Sequence, residues 1–190
     1  MAMMKTQLAF NRKIKKKYIN LSYFWIMNIL TQTPRLIIRR FKAAEEEMYL
    51  SLYDDDRVMQ YLPFRSREDH IQIFREHLNA APAGDVTGRW GLFNTEDNDF
   101  IGMCLLRLFD DGSDNIELGY AFRYEYWGKG IASEMTDTLL SCMLTVNPAA
   151  KFVAVTDLEN TASQRVLEKI GMKRDGNYFR NGIELAMFRL

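Results

Sequence analysis

Apolar residues along this chain fall into two spacings. Short runs rich in β-branched and aromatic residues mark strands: RLIIRRF at 35–41, RWGLFN at 89–94, FIGMCLLRLF at 100–109, IELGYAF at 116–122 and KFVAV at 151–155. Two further strands lie in the closing MKRDGNYFRNGIELAMFRL, on either side of Arg180-Asn181-Gly182. Three-and-four spacing marks helices. Met48 with Leu52 and Val58 with Tyr61 give a helix and a short second one, broken at Asp54 to Asp56. Ile71, Phe74 and Leu78 form a stripe behind a Ser66 cap. Ile131, Met135, Leu139, Cys142 and Val146 form another, and Ala162, Val166, Leu167 and Ile170 a last one closed by Gly171. APAGDVTG reads as a loop, and TEDND and DDGSDN as the turns of a three-strand meander. The order predicts an α/β fold: a mixed, mostly antiparallel sheet flanked by helices, with one parallel crossover through the helix at 131.

That crossover passes through EYWGKGIASEM at 125–135. Gly128 and Gly130 remove side chains where backbone must come close to something. The helix behind them opens with free N–H groups and a partial positive charge, the features of a phosphate site. A P-loop would need GxxxxGK[ST], and a dinucleotide fold GxGxxG in repeated βαβ units; the chain has neither.

Composition narrows the class. Of 190 residues, 47% are apolar and 26% charged, so one soluble domain is expected. The net charge of zero is unevenly spread: residues 1–30 carry six basic side chains and no acidic one, and the rest holds 19 basic against 25 acidic. A general nucleic-acid binder would show the opposite balance. The segment from Tyr18 to Leu30 is too short and polar to span a bilayer and lacks a cleavage pattern. It reads as part of a basic and apolar extension, residues 1–30, ahead of a domain at 31–190. Met27 offers an alternative start, in which case residues 1–26 are no part of the native chain. Cys104 and Cys142 lack metal spacing and read as buried thiols of a reducing, cytoplasmic protein. His70 and His77, seven apart, read as surface or boundary residues of one helix face, and no metal is expected.

IELGYAFRYEYWGKGIASEM, followed by VTDLENTASQRVLEKIGM, resembles the GCN5-related N-acetyltransferase (GNAT) superfamily. Within it the likeness is to the branch of ribosomal-protein alanine and serine N-acetyltransferases. It covers about residues 31–190. The resemblance implies acetyl-CoA as cosubstrate, its pyrophosphate held by Trp127, Gly128, Lys129, Gly130, Ile131 and Ala132, and its pantetheine arm by the backbone of Ala121 and Phe122 and by Asn160. Glu125 stands where the family often carries Gln or Arg, and Lys129 offsets its charge. Leu167 stands where many relatives place a proton-donating Tyr, and Ser163 matches the Ser of the ribosomal-protein branch.

Acetyl transfer to an amine needs proton removal, an oxyanion site and a donor for the leaving thiolate. Ser163 lies one turn from Asn160 and is the candidate donor, or else a capping hydroxyl. Glu117 shares a strand face with Gly119 and Ala121 and is the candidate base, or else half of a strand-end salt bridge. Asn160 suits a helix cap as well as a ligand contact, and Thr161 with Gln164 suits a capping box. Trp127 reads first as a packing wedge, and the side chains of Tyr120 and Phe122 as core. The expected activity is direct transfer in a ternary complex to a primary amine: a protein N-terminus such as a ribosomal protein, a polyamine or an aminoglycoside-like compound, the acidic domain favouring a basic acceptor. Competing readings are a non-catalytic acyl-CoA-binding module and a membrane-associated protein anchored by residues 12–30.

Overall fold

The computed structural model describes residues 29–80 and 86–190. Eight strands form one sheet in the order β1-β2-β3-β4-β5-β6-β8-β7. They are β1 (Ile29–Gln32), β2 (Leu36–Arg39), β3 (Gly88–Asn94), β4 (Phe100–Leu108), β5 (Ile116–Phe122), β6 (Phe152–Asp157), β7 (Lys173–Arg180) and β8 (Ile183–Arg189). The helices are α1 (Glu46–Leu50), α2 (Asp56–Met59), α3 (Arg67–Ala80), α4 (Ile131–Val146) and α5 (Thr161–Lys169). Every strand pair is antiparallel except β5 with β6, as the crossover through α4 requires.

Alternation along the strands divides the core in two. Leu118 and Phe122 of β5, with Cys104 and Leu106 of β4, pack toward Ile131, Met135, Leu139 and Met143 of α4. Ala121 and Met103 face the other way, toward Tyr49, Leu52, Val58 and Phe74 of the α1–α3 layer. Glu117 and Gly119 share that second face.

Several expectations are corrected. Among the described residues the first strand, β1, runs from Ile29, so the boundary at 31 falls inside it, and its Leu30 is buried in the core. Residues 1–28, most of the proposed extension and anchor, lie outside the described residues. Tyr49 and Leu50 are buried whereas Met48 is only partly so, because α1 passes at once into a 3-10 turn at Ser51–Tyr53 and loses the 3.6-residue period. Ala162 is exposed and Ser163 is turned partly inward in its place, while Leu167 is buried as expected. Cys104 is buried, but Cys142 is only half-buried. His70 is buried rather than at the surface or boundary, since the apolar stripe of α3 carries it inward against Tyr53.

His77, partly buried on the same helix, has its pKa pushed down to about 4 by burial, then by Arg89 and Arg40, with Glu76 opposing. The unfolded chain therefore takes up a proton near the ordinary value of 6.5 that the folded chain resists. Stability is fully present above that value and falls as the pH drops toward 4. Thermal melts at stepped pH should show this decline, and His77→Gln should flatten it.

Candidate active site

β5 and β6 are paired at only two positions, Ile116 with Phe152 and Glu117 with Val153. β5 stays paired with β4 through to Phe122, and β6 stays paired with β8 through to Asp157. Each central strand thus keeps its outer neighbour and loses its inner one, which opens a notch in the sheet. A cavity of about 290 Å³ occupies this region. Gly119, Tyr120, Ala121, Thr156, Asn160 and Ser163 line it on the notch side.

Beyond the end of β5, the chain turns into the glycine loop. Gly128 and Gly130 adopt φ of 71° and 75°, in the left-handed region that glycine enters without strain. A Cβ at Gly128 would meet no atom of the described residues within 4 Å, so none of them fills the space over that residue. Gly130 is the N-cap of the 16-residue α4, and no side chain caps the helix. The first N–H groups of α4, from Ile131 onward, are therefore left for solvent or a ligand. The Ile131 side chain is in the core, so only its backbone is available to such a ligand.

The loop is held from two sides. The Trp127 indole N–H donates to the Phe122 carbonyl at 2.9 Å, tying the loop to the end of β5, in keeping with a packing wedge. Arg35 donates to the Lys129 carbonyl at 3.1 Å and to Glu134 at 2.7 Å, and Thr33 donates to Glu134 at 2.5 Å. These contacts join the β1–β2 turn to the loop. They also set Arg35 beside Lys129 as a second cation at the cradle. Glu125 is paired with Arg123 at 2.9 Å, which partly neutralises the acidic departure from the family loop. Nothing local in the sequence marks Arg35 or Glu134, because they lie 99 residues apart.

Asn160 caps α5, its side-chain oxygen accepting from the Ser163 N–H at 3.0 Å. Its amide nitrogen has no partner among the described residues. The Thr161–Gln164 capping box does not form; Gln164 donates instead to the carbonyls of Leu158 at 2.8 Å and Asp157 at 3.3 Å. The Tyr120 hydroxyl donates to Ser163 Oγ at 3.3 Å, so Tyr120 is more than a core side chain. Burial raises the pKa of that hydroxyl, and its bond to Ser163 partly opposes the rise.

Glu117 also lines the cavity, with only 6% of its side chain exposed. Both oxygens accept from guanidinium groups, from Arg107 at 2.8 Å and from Arg180 at 2.8 and 3.0 Å. Arg180 continues to Asp110, which also accepts from Tyr178 at 3.0 Å. The β4–β5 register sets Arg107 opposite Glu117, whereas Arg180 arrives from the distant end of β7. The structure therefore brings Glu117, Ala121, Asn160 and Ser163 to one cavity, and collects Trp127 to Ala132 at the loop beside it. Neither cysteine lines the cavity. Among the described residues no cluster of metal-ligating side chains forms, and no helix is long and apolar enough to cross a membrane.

Comparison with known proteins agrees with this geometry. Residues 35–173 match the family described as "Acetyltransferase (GNAT) domain". The chain is 25% identical over 150 residues to "Uncharacterized N-acetyltransferase p20" of Bacillus licheniformis, covering 76% of this chain and 82% of that one. It is 27% identical over 149 residues to "Uncharacterized N-acetyltransferase YoaA" of Bacillus subtilis, covering 77% and 84%. Among solved structures, a GNAT-family acetyltransferase from Bacillus anthracis superposes with a TM-score of 0.71 at 25% identity, over 85% of this chain and 97% of that one. RimL, a ribosomal L7/L12 α-N-protein acetyltransferase solved with coenzyme A, has the same fold at a TM-score of 0.71 and 17% identity, over 85% and 97%.

Proposed function

We propose, from the premise that this chain belongs to the acetyltransferase (GNAT) domain family, that it transfers the acetyl group of acetyl-CoA directly to a primary amine in a ternary complex. The observation that carries this reading is the sheet notch opening beside an uncapped helix start with two left-handed glycines. Acetyl-CoA supplies the acetyl as a thioester. Its pyrophosphate suits the N–H groups from Gly128 to Ala132, with Lys129 and Arg35 offsetting the charge. Its pantetheine arm suits the edge of β5 at Ala121 and Phe122, where the strand has no inner neighbour, and the spare amide nitrogen of Asn160.

In the reaction the amine nitrogen bonds to the acetyl carbon and gives up one proton to solvent, the carbon–sulfur bond breaks and the thiolate takes a proton, whose donor is then reprotonated from solvent so that the transfer balances. Ser163, backed by the Tyr120 hydroxyl, is assigned as the source of that proton. Of the two uses of Glu117 raised by the sequence, we favour the ion-pair anchor over the base, since each oxygen already accepts from Arg107 or Arg180. The acceptor then reacts as its neutral amine, and kcat/KM rises with pH toward the amine's own pKa. With no spanning helix among the described residues, a cytoplasmic setting completes the proposal.

Calorimetric binding of acetyl-CoA, followed by thiol release against a panel of amines, tests the reading. Saturable binding with amine-dependent release supports it, and absence of acetyl-CoA binding overturns it. Ser163→Ala and Tyr120→Phe should each lower kcat about 10-fold with KM for acetyl-CoA unchanged. That is less than a general acid often contributes, because a thiolate with a free pKa of about 8.5 already leaves readily. Unchanged kcat in both variants would remove the pair from the mechanism.

A further inference from the structure

The acceptor side of the cavity has the opposite charge from the domain as a whole. Four arginines line the cavity, Arg65, Arg89, Arg107 and Arg180, against two carboxylates, Glu117 and Asp157. Glu117 is already committed to Arg107 and Arg180. Neither Arg65 nor Arg89 has a carboxylate partner among the described residues.

The register shows how this end is built. Arg89 of β3 lies opposite Leu105 of β4, which lies opposite Gly119 of β5. The three form one row on the face that also carries Glu117. Gly119 contributes no side chain to that row, which leaves room over the sheet. From α3 above, His70 stacks on Tyr53 with ring centroids 3.7 Å apart and is 5% exposed. Both of its ring nitrogens, and Nε of Arg89, are buried with no hydrogen-bond partner. A buried polar group without a partner costs about 1–3 kcal/mol, and a cluster of them beside unpaired cations has the composition of an anion site awaiting its ligand.

Resting on the transferase reading above, we infer that the acceptor is a small anionic amine of the amino-acid class, its carboxylate seated among Arg65, Arg89 and His70. The carboxylate satisfies the orphaned N–H groups, and guanidinium forks suit it geometrically. A polyamine or aminoglycoside would instead set its cations against Arg65 and Arg89, which no carboxylate among the described residues offsets. The cavity volume lies near the lower end of small-molecule sites, which favours a compact acid.

The test uses the full chain and compares free amino acids with their carboxamides, and both with spermidine, by thiol release from acetyl-CoA. The free acids should exceed the carboxamides in kcat/KM by about 30-fold, the scale set by pairing or losing a buried charged partner. Arg65→Gln and Arg89→Gln, one in a loop and one in a strand, should each collapse that ratio, with acetyl-CoA affinity reporting that each variant is folded. Independently of turnover, N-acetyl amino acids should raise the melting temperature of the parent chain, and their amides should not. Carboxamides or spermidine used as well as the acids, or a ratio unmoved in both variants, overturns the inference. So does acetyl-CoA binding accompanied by neither turnover of the acids nor binding of the N-acetyl acids, an outcome that leaves the transferase reading standing. Failure to bind acetyl-CoA removes that reading and this inference with it.

Discussion

Gly128→Ala should lower kcat/KM for acetyl-CoA by about 100-fold while costing the fold only about 1–2 kcal/mol, the strain of an L-residue in left-handed backbone. The two effects separate because of the local geometry. With φ at 71° and no atom of the described residues within 4 Å of the added Cβ, the methyl group meets no clash among them. The methyl group would instead enter the open space over the loop, which the proposed pyrophosphate would occupy. Relaxing φ to negative values would remove the strain but rotate the loop N–H groups out of register. Denaturant titration beside acetyl-CoA calorimetry reads both quantities. A stability loss with acetyl-CoA affinity intact would make the loop a structural turn and leave the pyrophosphate without its site.

Glu117→Ala should destabilise the protein by about 3 kcal/mol, near the low end for breaking a buried ion pair from one side. Arg107 is 42% exposed and recovers solvation, whereas Arg180 is 18% exposed and keeps only Asp110. The kinetic signature distinguishes the two roles of this carboxylate. As an anchor, Glu117 holds two arginines in the cavity wall, so its loss raises the acceptor KM more than it lowers kcat. As a base, its loss lowers kcat at unchanged acceptor KM. Glu117→Gln keeps the volume but only one of the two acceptors, its amide nitrogen facing a guanidinium donor, and should recover only part of the stability. A variant as stable as the parent would show that the Arg107–Glu117–Arg180 network contributes little.

Much of this arrangement is legible in order along the chain. The meander at 89–122, the α4 stripe and the glycine loop are local patterns, each decided by residues within a few positions of one another. For the same reason, Gly128, Gly130, Asn160 and Ser163 could be singled out from spacing and family likeness. Errors arose where packing overrode period: α1 loses its phase in a 3-10 turn, and the short α5 turns Ser163 partly inward in place of Ala162. His70 looked like a surface or boundary residue because a histidine in a polar helix carries no local sign of the packing beneath it.

The sequence by itself determined seven of the eight strands, missing the short β1, together with the main helices, the single crossover and the loop proposed as a phosphate site. Local propensity and periodicity decide such features before any tertiary contact forms. Only the tertiary structure decided that β5 and β6 part after two rungs, that Arg35 reaches Lys129 and that Tyr120 meets Ser163. It also decided that the cavity of an acidic domain is lined with arginines. Net charge sums over the whole chain, whereas the field inside a cavity depends on which few side chains the sheet register and the helix above it turn inward.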